Sequence, residues 1–377
     1  MNVVIVNCFD TYEERIDLLH EYFVSKGHKV TVIQSDFRHF KKEYRTEEKE
    51  NFLFVPSKPY YKNLSFSRLK SHYVFAKNAF KHVESIRPDL LYAIIPPNSI
   101  AKFASNYKKK NTSAKLIFDL IDLWPETMPL GKVKNFPPFT FWQSMRDWNL
   151  KYADLVISEC DLYRNILRDV LVNLKTETVY LAKKEIASES SPILSSNEIH
   201  LCYLGSINNI IDIPKIKSLL ESINNLKPVT LHIIGDGENK DYFINQIELI
   251  GAKVNYHGKI YDNLKKQEIF DRCHFGINIM KDEVCVGLTM KSIDYFQGGL
   301  PILNNIQGDT TRIVEEFQIG INITPDINSV ATKVIDIDIK KNVIMRETTR
   351  RVFENYFSFE SFSNKLNNVI KIAMDSE

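Results

Sequence analysis

Glycine is scarce in the first half of the chain: of 13 glycines in 377 residues, only Gly27 and Gly131 precede residue 183. A strand-to-helix turn that wraps a phosphate needs glycine, because backbone N–H groups must approach the oxygens without a Cβ in the way. The first turn of the chain instead reads "VVIVNCFDTYEERID", with Asp10, Glu13 and Glu14 where a diphosphate would be repelled. That disfavours a Rossmann dehydrogenase. No run of about 18 apolar residues occurs, which argues against a membrane-spanning helix. The N-terminus turns acidic within its first ten residues, unlike a secretory signal peptide. Cysteine is sparse, and Cys8, Cys160, Cys202, Cys273 and Cys285 share no metal-ligand spacing, so they read as reduced cytosolic thiols. His and Asp likewise form no metal-spaced cluster, so no metal is expected. The sequons at Asn63 and Asn111 are chance matches on this reading, and the chain is expected to be cytoplasmic.

What is present is an ordinary globular composition, 44% hydrophobic and 25% charged, long enough for two domains of roughly 180 residues each. The net charge of +2 hides an asymmetry: residues 1–190 carry 29 basic against 23 acidic side chains, and the remainder 20 against 24. Residues 51–115 alone carry 12 against 2. Such a concentration suits anionic lipid headgroups, a pyrophosphate-bearing acceptor or nucleic acid; a solvated basic face is the other reading.

Short β-branched runs alternate with helical patterns from end to end. In the first half the expected strands are 3–7, 29–33, 90–95, 115–121 and 154–159, with an amphipathic helix over 66–84 whose apolar face holds Tyr73, Ala76, Phe80 and Val83. The Ser-rich stretch "KKEIASESSPILSSN", 183–197, is the best linker. The pattern then restarts, with strands expected at 199–205, 229–235, 253–258, 275–280 and 300–305, and a last helix over 359–374. Strands separated by helices imply parallel sheets, hence an α/β protein of two tandem Rossmann-like domains, 1–183 and 198–358, followed by a C-terminal helix, 359–377, that packs back on the first domain.

The glycine-rich turns of the second half lie at one sheet edge in such a fold, the edge where ligands bind. They are "YLGSINN" with Gly205 and Ser206, "IIGDGENK" with Gly235 and Gly237, "YHGKIYD" with Gly258, and "VGLTMKSIDYFQGGLP". "GDGE" alone is weak, since it lacks the third glycine of a dinucleotide fingerprint. In the last stretch Thr289 is a good N-cap, and Gly287 permits the turn before it. The free N–H groups of Leu288, Thr289 and Met290 would then meet an anion, with the helix dipole behind them. Lys291 adds a full charge, and Asp294, three residues on, would grip a ribose diol. A Lys291–Asp294 surface pair over a core helix is the plainer alternative.

At this point the residues resemble a known family. "LHIIGDGENK", "HGKI…EIFDRCHFGINIM" and "KSIDYFQGGLPILNN" are similar to the C-terminal domain of glycosyltransferase family four enzymes of the GT-B fold, whose two domains face each other across a cleft. "SKGHKVTVI", "FDLIDLWPETMP" and "ADLVISECDLYRNIL" resemble the first, acceptor-binding domain of bacterial members that build surface polysaccharides. The resemblance covers nearly the whole chain.

It implies that Asp294, five residues before Gly299, stands at the second glutamate of the family's E-x7-E motif. The first glutamate falls at Val286 and is missing, with Asp282 or Glu283 as substitutes beside the donor sugar. The basic side chains that flank the diphosphate in the family are absent from "GSINNIID", leaving Lys291 and Lys259 in their place. The implied activity is transfer of a sugar from a nucleotide-diphosphate donor to a glycan or polyprenyl-pyrophosphate-linked acceptor, with retention, no metal, no cofactor and no nucleic acid partner, in capsule or exopolysaccharide synthesis. Asp122 would orient the acceptor or act as base, with Glu126 a weaker alternative; Asp122 could instead cap the following turn. The basic 51–115 region would dock peripherally at the inner face of a membrane. The rival readings are a nucleotide-sugar 2-epimerase of the same architecture and a non-catalytic, glycosyltransferase-like partner subunit.

Overall fold

The computed structural model of the protein describes residues 1–62, 65–128, 130–186 and 191–375. The centre of the Ser-rich stretch, 187–190, and the Asn63 sequon lie outside the described residues. The chain divides into two compact units, Met1–Leu181 with Phe362–Glu377, and Ala182–Ser361.

The first unit runs β1 (Asn2–Asn7), α1 (Glu13–Ser25), β2 (Lys29–Ser35), a short antiparallel pair β3 (Phe37–Arg38) and β4 (Glu43–Tyr44), β5 (Phe52–Val55), α2 (Phe66–Ile86), β6 (Leu90–Ile95), α3 (Asn98–Lys110), β7 (Lys115–Leu120), α4 (Phe139–Leu150), β8 (Leu155–Ser158), α5 (Asp161–Ile166), α6 (Arg168–Leu171) and β9 (Thr176–Thr178). Its main sheet is parallel, in the order β5-β2-β1-β6-β7-β8-β9. The second unit runs β10 (Ile199–Leu204), α7 (Ile213–Asn224), β11 (Val229–Ile234), α8 (Lys240–Glu248), β12 (Lys253–Gly258), α9 (Asn263–Phe270), β13 (Phe275–Asn278), α10 (Met290–Gln297), β14 (Ile302–Asn304), α11 (Asp309–Phe317), β15 (Gly320–Asn322), α12 (Ile327–Asp336) and α13 (Ile339–Tyr356). Its sheet is parallel, in the order β12-β11-β10-β13-β14-β15. The last helix, α14 (Phe359–Met374), belongs to the first unit from Phe362 onward.

Helices form every crossover except β2 to β5, which runs through β3 and β4, and this is why the central strands are continuous apolar runs: all six residues of β6 and of β11 are buried. The strands of the two main sheets not expected from the sequence, β5, β9 and β15, lie at sheet edges, where one flank is unpaired and short strands suffice; the short pair β3–β4 was not expected either. Helix α2 buries Ala76, Phe80 and Val83 with Phe75 and Ala79, whereas Tyr73 is 42% exposed and off the core face that the sequence suggested for it.

A buried charge pair ties the first unit together. Arg15 of α1 holds Asp119 of β7 through two bonds, Nε–Oδ2 at 2.7 Å and Nη2–Oδ1 at 3.0 Å. The Tyr92 hydroxyl donates to the same carboxylate at 2.8 Å, and the guanidinium also donates to the carbonyls of Val179 and Tyr180. Arg15 sits 5.5 Å from the ring centroid of Phe362, so the pair anchors the terminal helix as well. Removing one partner strands the other charge away from water. Asp119→Ala is expected to lower the stability of the protein by about 3–5 kcal/mol in urea denaturation; a change under about 1 kcal/mol would show that the pair holds nothing together.

Four histidines line up across β10, β11, β12 and the start of β13. His257 meets His232 at 3.0 Å, His232 meets His200 at 3.0 Å, and His200 meets the Glu198 carboxylate at 2.8 Å. The His200 amide donates to Nδ1 of His274. A carboxylate can only accept, so each ring in the row must carry its proton on Nε2 and present a bare Nδ1 to the next. Burial pushes His232 and His274 down to about 4. Their folded-state values lie below the unfolded value, so their contribution is full above pH 6.5 and is lost as pH falls toward 4. Thermal unfolding of the second unit should shift downward between pH 6.5 and 4.5, and His232→Gln should flatten that dependence.

Candidate functional site

In a sheet of this order the chain reverses direction of build between β10 and β13, and the loops leaving these two strands frame a crevice. The site is built from the ends of the strands upward. Asn278, Asn304 and Asn322 are the last residues of β13, β14 and β15 and stand side by side in register. Asn278 Nδ2 donates to Asn304 Oδ1 at 2.8 Å, and Asn304 Nδ2 donates to Asn322 Oδ1 at 2.9 Å. The other hydrogen of Asn278 Nδ2 goes to Ser292 Oγ at 3.1 Å, and its Oδ1 accepts from Thr289 Oγ1 at 3.3 Å. Thr289 Oγ1 in turn accepts from the Ser292 amide at 3.1 Å, the N-cap bond that starts α10.

With Thr289 so fixed, the amides of Leu288, Thr289 and Met290 have no acceptor among the described residues. Gly287 supports them from behind: its carbonyl accepts from Thr310 N at 2.9 Å and Thr310 Oγ1 at 2.7 Å. Lys291 follows. It is only 9% exposed, its Nζ lies 5.2 Å from the ring centroid of Tyr203, and no carboxylate among the described residues pairs with it. Burial alone pushes its pKa down to about 8. Free amides at a helix start and a buried ammonium without a counter-ion are groups that can together hold an anion.

Asp294 does not pair with Lys291. Its Oδ1 is shared by Lys183 at 3.0 Å and Lys266 at 2.7 Å, two lysines for which sequence spacing holds no signal because they come from 111 and 28 residues away. Its Oδ2 accepts from no described residue.

The other glycines do a different job from the one expected. The Gly205 amide donates to the Ile234 carbonyl at 2.9 Å and the Gly235 amide to the Gly258 carbonyl at 2.8 Å, while the Gly237 amide bonds the Asp236 side chain. A Cβ on Gly235 would stand 1.9 Å from the Gly205 carbonyl oxygen, and one on Gly237 would stand 2.3 Å from that of Ile207. These glycines let neighbouring turns close against each other, and their amides are not available to a phosphate. Ser206 accepts from the Tyr203 hydroxyl at 2.8 Å through its carbonyl. Lys259 faces Asp236 at 3.7 Å rather than an open anion position. Asp282 is held by Lys215 at 2.7 Å beside a pocket of about 110 Å³ that Val286 and Asn305 also line, and Glu283 is exposed.

In the first unit, both expected catalytic carboxylates are engaged. Asp122 Oδ1 accepts from the Leu123 amide at 2.8 Å and Thr127 Oγ1 at 2.5 Å, and Oδ2 accepts from Trp124 Nε1 at 2.6 Å. It caps its turn; burial raises its pKa against those bonds. Glu126 is gripped by Arg146 through both oxygens, at 3.0 and 2.5 Å. Sequence reasoning missed the neighbours of Asp122 at the same sheet edge. His72 is buried with neither ring nitrogen bonded, packed among Phe9, His39, Tyr60 and Trp124. Arg68, one turn before it on α2, stacks 4.2 Å from the ring centroid of Trp124. Their helical spacing, 68 and 72, was the available signal.

Solved structures with this arrangement of strands and helices are known. The chain is similar to sucrose-phosphate synthase from Thermosynechococcus elongatus, at 12% identity and a TM-score of 0.73 over 98% of each chain. It is similar to Anabaena HepE in complex with UDP and glucose, at 14% identity and 0.68 over 98% of this chain and 99% of that one. The lipopolysaccharide outer core galactosyltransferase WaaB matches at 13% identity and 0.69, over 98% and 99%. The fold is GT-B. No family model matches the chain, and no curated protein matches it.

Two measurements test whether an anion binds at the start of α10. A buried ammonium without a partner opposes folding, so Lys291→Met should stabilise the ligand-free protein at pH 7, on the order of 3 kcal/mol for a shift from 10.5 to about 8. That penalty is full below about pH 8 and fades toward 10.5, where the unfolded lysine is neutral too. Conversely, an anion favours the charged form, so UDP affinity measured by calorimetry should fall as pH rises through 8 in the wild type and stay flat in the variant.

Proposed function

We propose that the protein is a glycosyltransferase that binds a nucleotide-diphosphate sugar in its second unit and passes the sugar to a glycan or lipid-linked glycan. The observation that carries this reading is the buried, unpartnered Lys291 beside the free amides of Leu288 to Met290. HepE structures hold UDP, UDP-glucose, or UDP and glucose, on a chain of the same fold.

On this reading the diphosphate lies on the α10 start, where the amides and Lys291 stabilise the charge that grows on the leaving phosphate as the glycosidic bond breaks. No metal is required of the mechanism, because a fixed ammonium and oriented dipoles supply the electrophilic help. Asp294 Oδ2 accepts from a ribose hydroxyl, with Lys183 and Lys266 holding the carboxylate in place. The acceptor hydroxyl attacks from the face the diphosphate leaves, which retains the anomeric configuration, and a leaving phosphate oxygen takes its proton. With Asp122 and Glu126 both engaged, that substrate-assisted route replaces a carboxylate base. Cell-surface polysaccharide synthesis in the cytoplasm, at the membrane, is the setting this chemistry suits.

A second reading has its own support: with valine at 286 and both acceptor-unit carboxylates engaged, the chain would bind a donor without transferring it, as a partner subunit. A thermal-shift screen of UDP-glucose, UDP-galactose, UDP-N-acetylglucosamine and GDP-mannose, followed by product analysis with and without an acceptor glycan, separates the readings. Transfer to acceptor supports the transferase; conversion of the donor without acceptor marks an epimerase; binding with no turnover marks the partner subunit. Lys291→Ala is expected to weaken the best donor at least tenfold, about 1.4 kcal/mol or more, and Asp294→Ala severalfold. Wild-type affinity in both variants would rule out this site.

A further inference from the structure

The pocket of about 110 Å³ beside the start of α10 has an apolar wall, formed by Met280, Val284, Val286 and Ile306. Met280 and Ile306 belong to the core of the second unit, at 9% and 4% exposure, and Val284 and Val286 pack half-buried against that core. Asn305, which also lines the pocket, is already engaged: its Oδ1 accepts from the Met280 amide at 2.9 Å, and its Nδ2 donates to the Met280 carbonyl at 2.7 Å. A sugar hydroxyl pressed into this cup would exchange water for an apolar wall, at a cost. The charges at the rim are balanced. Lys281 is followed by Asp282 and Glu283, and Asp282 is held by Lys215 at 2.7 Å, so two amines face two carboxylates and no net positive charge is left for an acidic sugar.

Size then decides what fills the cup. An apolar cavity of about 150 Å³ takes benzene, so about 110 Å³ takes roughly four heavy atoms in proportion. A pyranose ring with its oxygens is too large. A lone hydroxyl or methyl would leave most of the space empty and its lining without contacts. An acetamido group has four heavy atoms, one of them a methyl that the apolar wall can cover. Its polar atoms have partners within the lining. The Val286 amide donates to no described residue, and Gln307, which gives its Nε2 to the Asn305 carbonyl at 3.3 Å, has an Oε1 that accepts from none. One can donate to the acetamido carbonyl and the other accept from its N–H. Position agrees with size. Val286 stands two residues before Leu288, within about 7 Å along the chain. In a nucleotide sugar one oxygen separates the sugar carbon from the diphosphate, so a diphosphate on the α10 start brings the sugar's substituents to this cup.

We infer that the pocket is a subsite for an acetamido group on the donor, so that the protein takes a nucleotide-diphosphate N-acetylhexosamine in preference to the corresponding hexose. This rests on the proposed binding of a nucleotide-diphosphate sugar at α10 and adds the class of sugar. The charge of the diphosphate holds any donor, and the cup chooses among them.

The test is titration calorimetry on the full chain with UDP, UDP-glucose, UDP-N-acetylglucosamine, UDP-galactose, UDP-N-acetylgalactosamine and UDP-glucuronate. Expected is binding at least tenfold tighter for one N-acetyl donor than for its hydroxyl counterpart. Val286→Phe fills the cup and should bring that ratio to within about twofold of one. Val286→Glu gives the cup an acceptor for hydroxyls and should bring the ratio below one. Melting temperatures show that each variant is folded, and the wild-type comparison decides the matter without either of them. Equal affinity within both pairs, or tightest binding of UDP-glucuronate, overturns the acetamido subsite. So does an N-acetyl preference that both folded variants keep, because the group would then lie elsewhere. UDP bound without any N-acetyl preference sinks this subsite and leaves the proposed function standing. No binding of UDP or of any donor sinks the proposed function, and the subsite with it.

Discussion

A ladder of three asparagines, two of them buried and Asn322 half-buried, is what the candidate site depends on. Asn278, Asn304 and Asn322 end three adjacent strands and satisfy one another across the sheet edge, so that Thr289 and Ser292 have fixed partners beneath them. Without that ladder the start of α10 would be an exposed, fraying turn. With it, Thr289 and the first turn of α10 are fixed before any ligand arrives. Pre-organisation of this kind is what makes a dipole useful to a developing charge, because nothing has to reorient during the reaction. Polar side chains at three strand ends are expensive to bury, and they persist because each donor finds an acceptor.

Much of this was legible in the sequence, and the boundary of legibility has physical causes. The central strands and the start of α10 at Thr289 follow from apolar runs and a capping residue, both local signals. The ladder was visible only as an asparagine after an aliphatic residue at strand ends, in "GIN" 276–278, "ILN" 302–304 and "GIN" 320–322; β15 had not been expected, so the third rung had no strand to stand on. Lys183 and Lys266, which hold Asp294, arrive from distant segments and no spacing rule reaches them. Edge strands such as Thr176–Thr178 have too little buried face to leave a pattern.

The glycines show how a correct residue can carry the wrong reason. Gly235 and Gly237 are required, since side chains there would meet the carbonyls of Gly205 and Ile207. The requirement is for two turns to pack together, and the amides that a phosphate would need are already bonded. A glycine in a strand-to-helix turn reports close approach by something, and here that something is the neighbouring loop. The same distinction applies to Asp122, whose place at the end of a strand fits a base while its three bonds fit a cap.

Charge arithmetic then narrows what the second unit can hold. Around α10 stand three lysines: Lys183 and Lys266 are bonded to Asp294, and Lys291 has no carboxylate partner among the described residues. A buried ammonium such as Lys291 is unfavourable on its own and would be relieved by a negatively charged ligand. On the proposed reading a diphosphate would do this and a neutral sugar would not, so the free energy of binding would be concentrated on the leaving group. Valine at 286 fits that division: a carboxylate there would cancel part of the positive field, whereas an apolar side chain leaves it intact. Binding that is strongest where charge develops, and weakest on the sugar itself, favours the transition state over the bound donor.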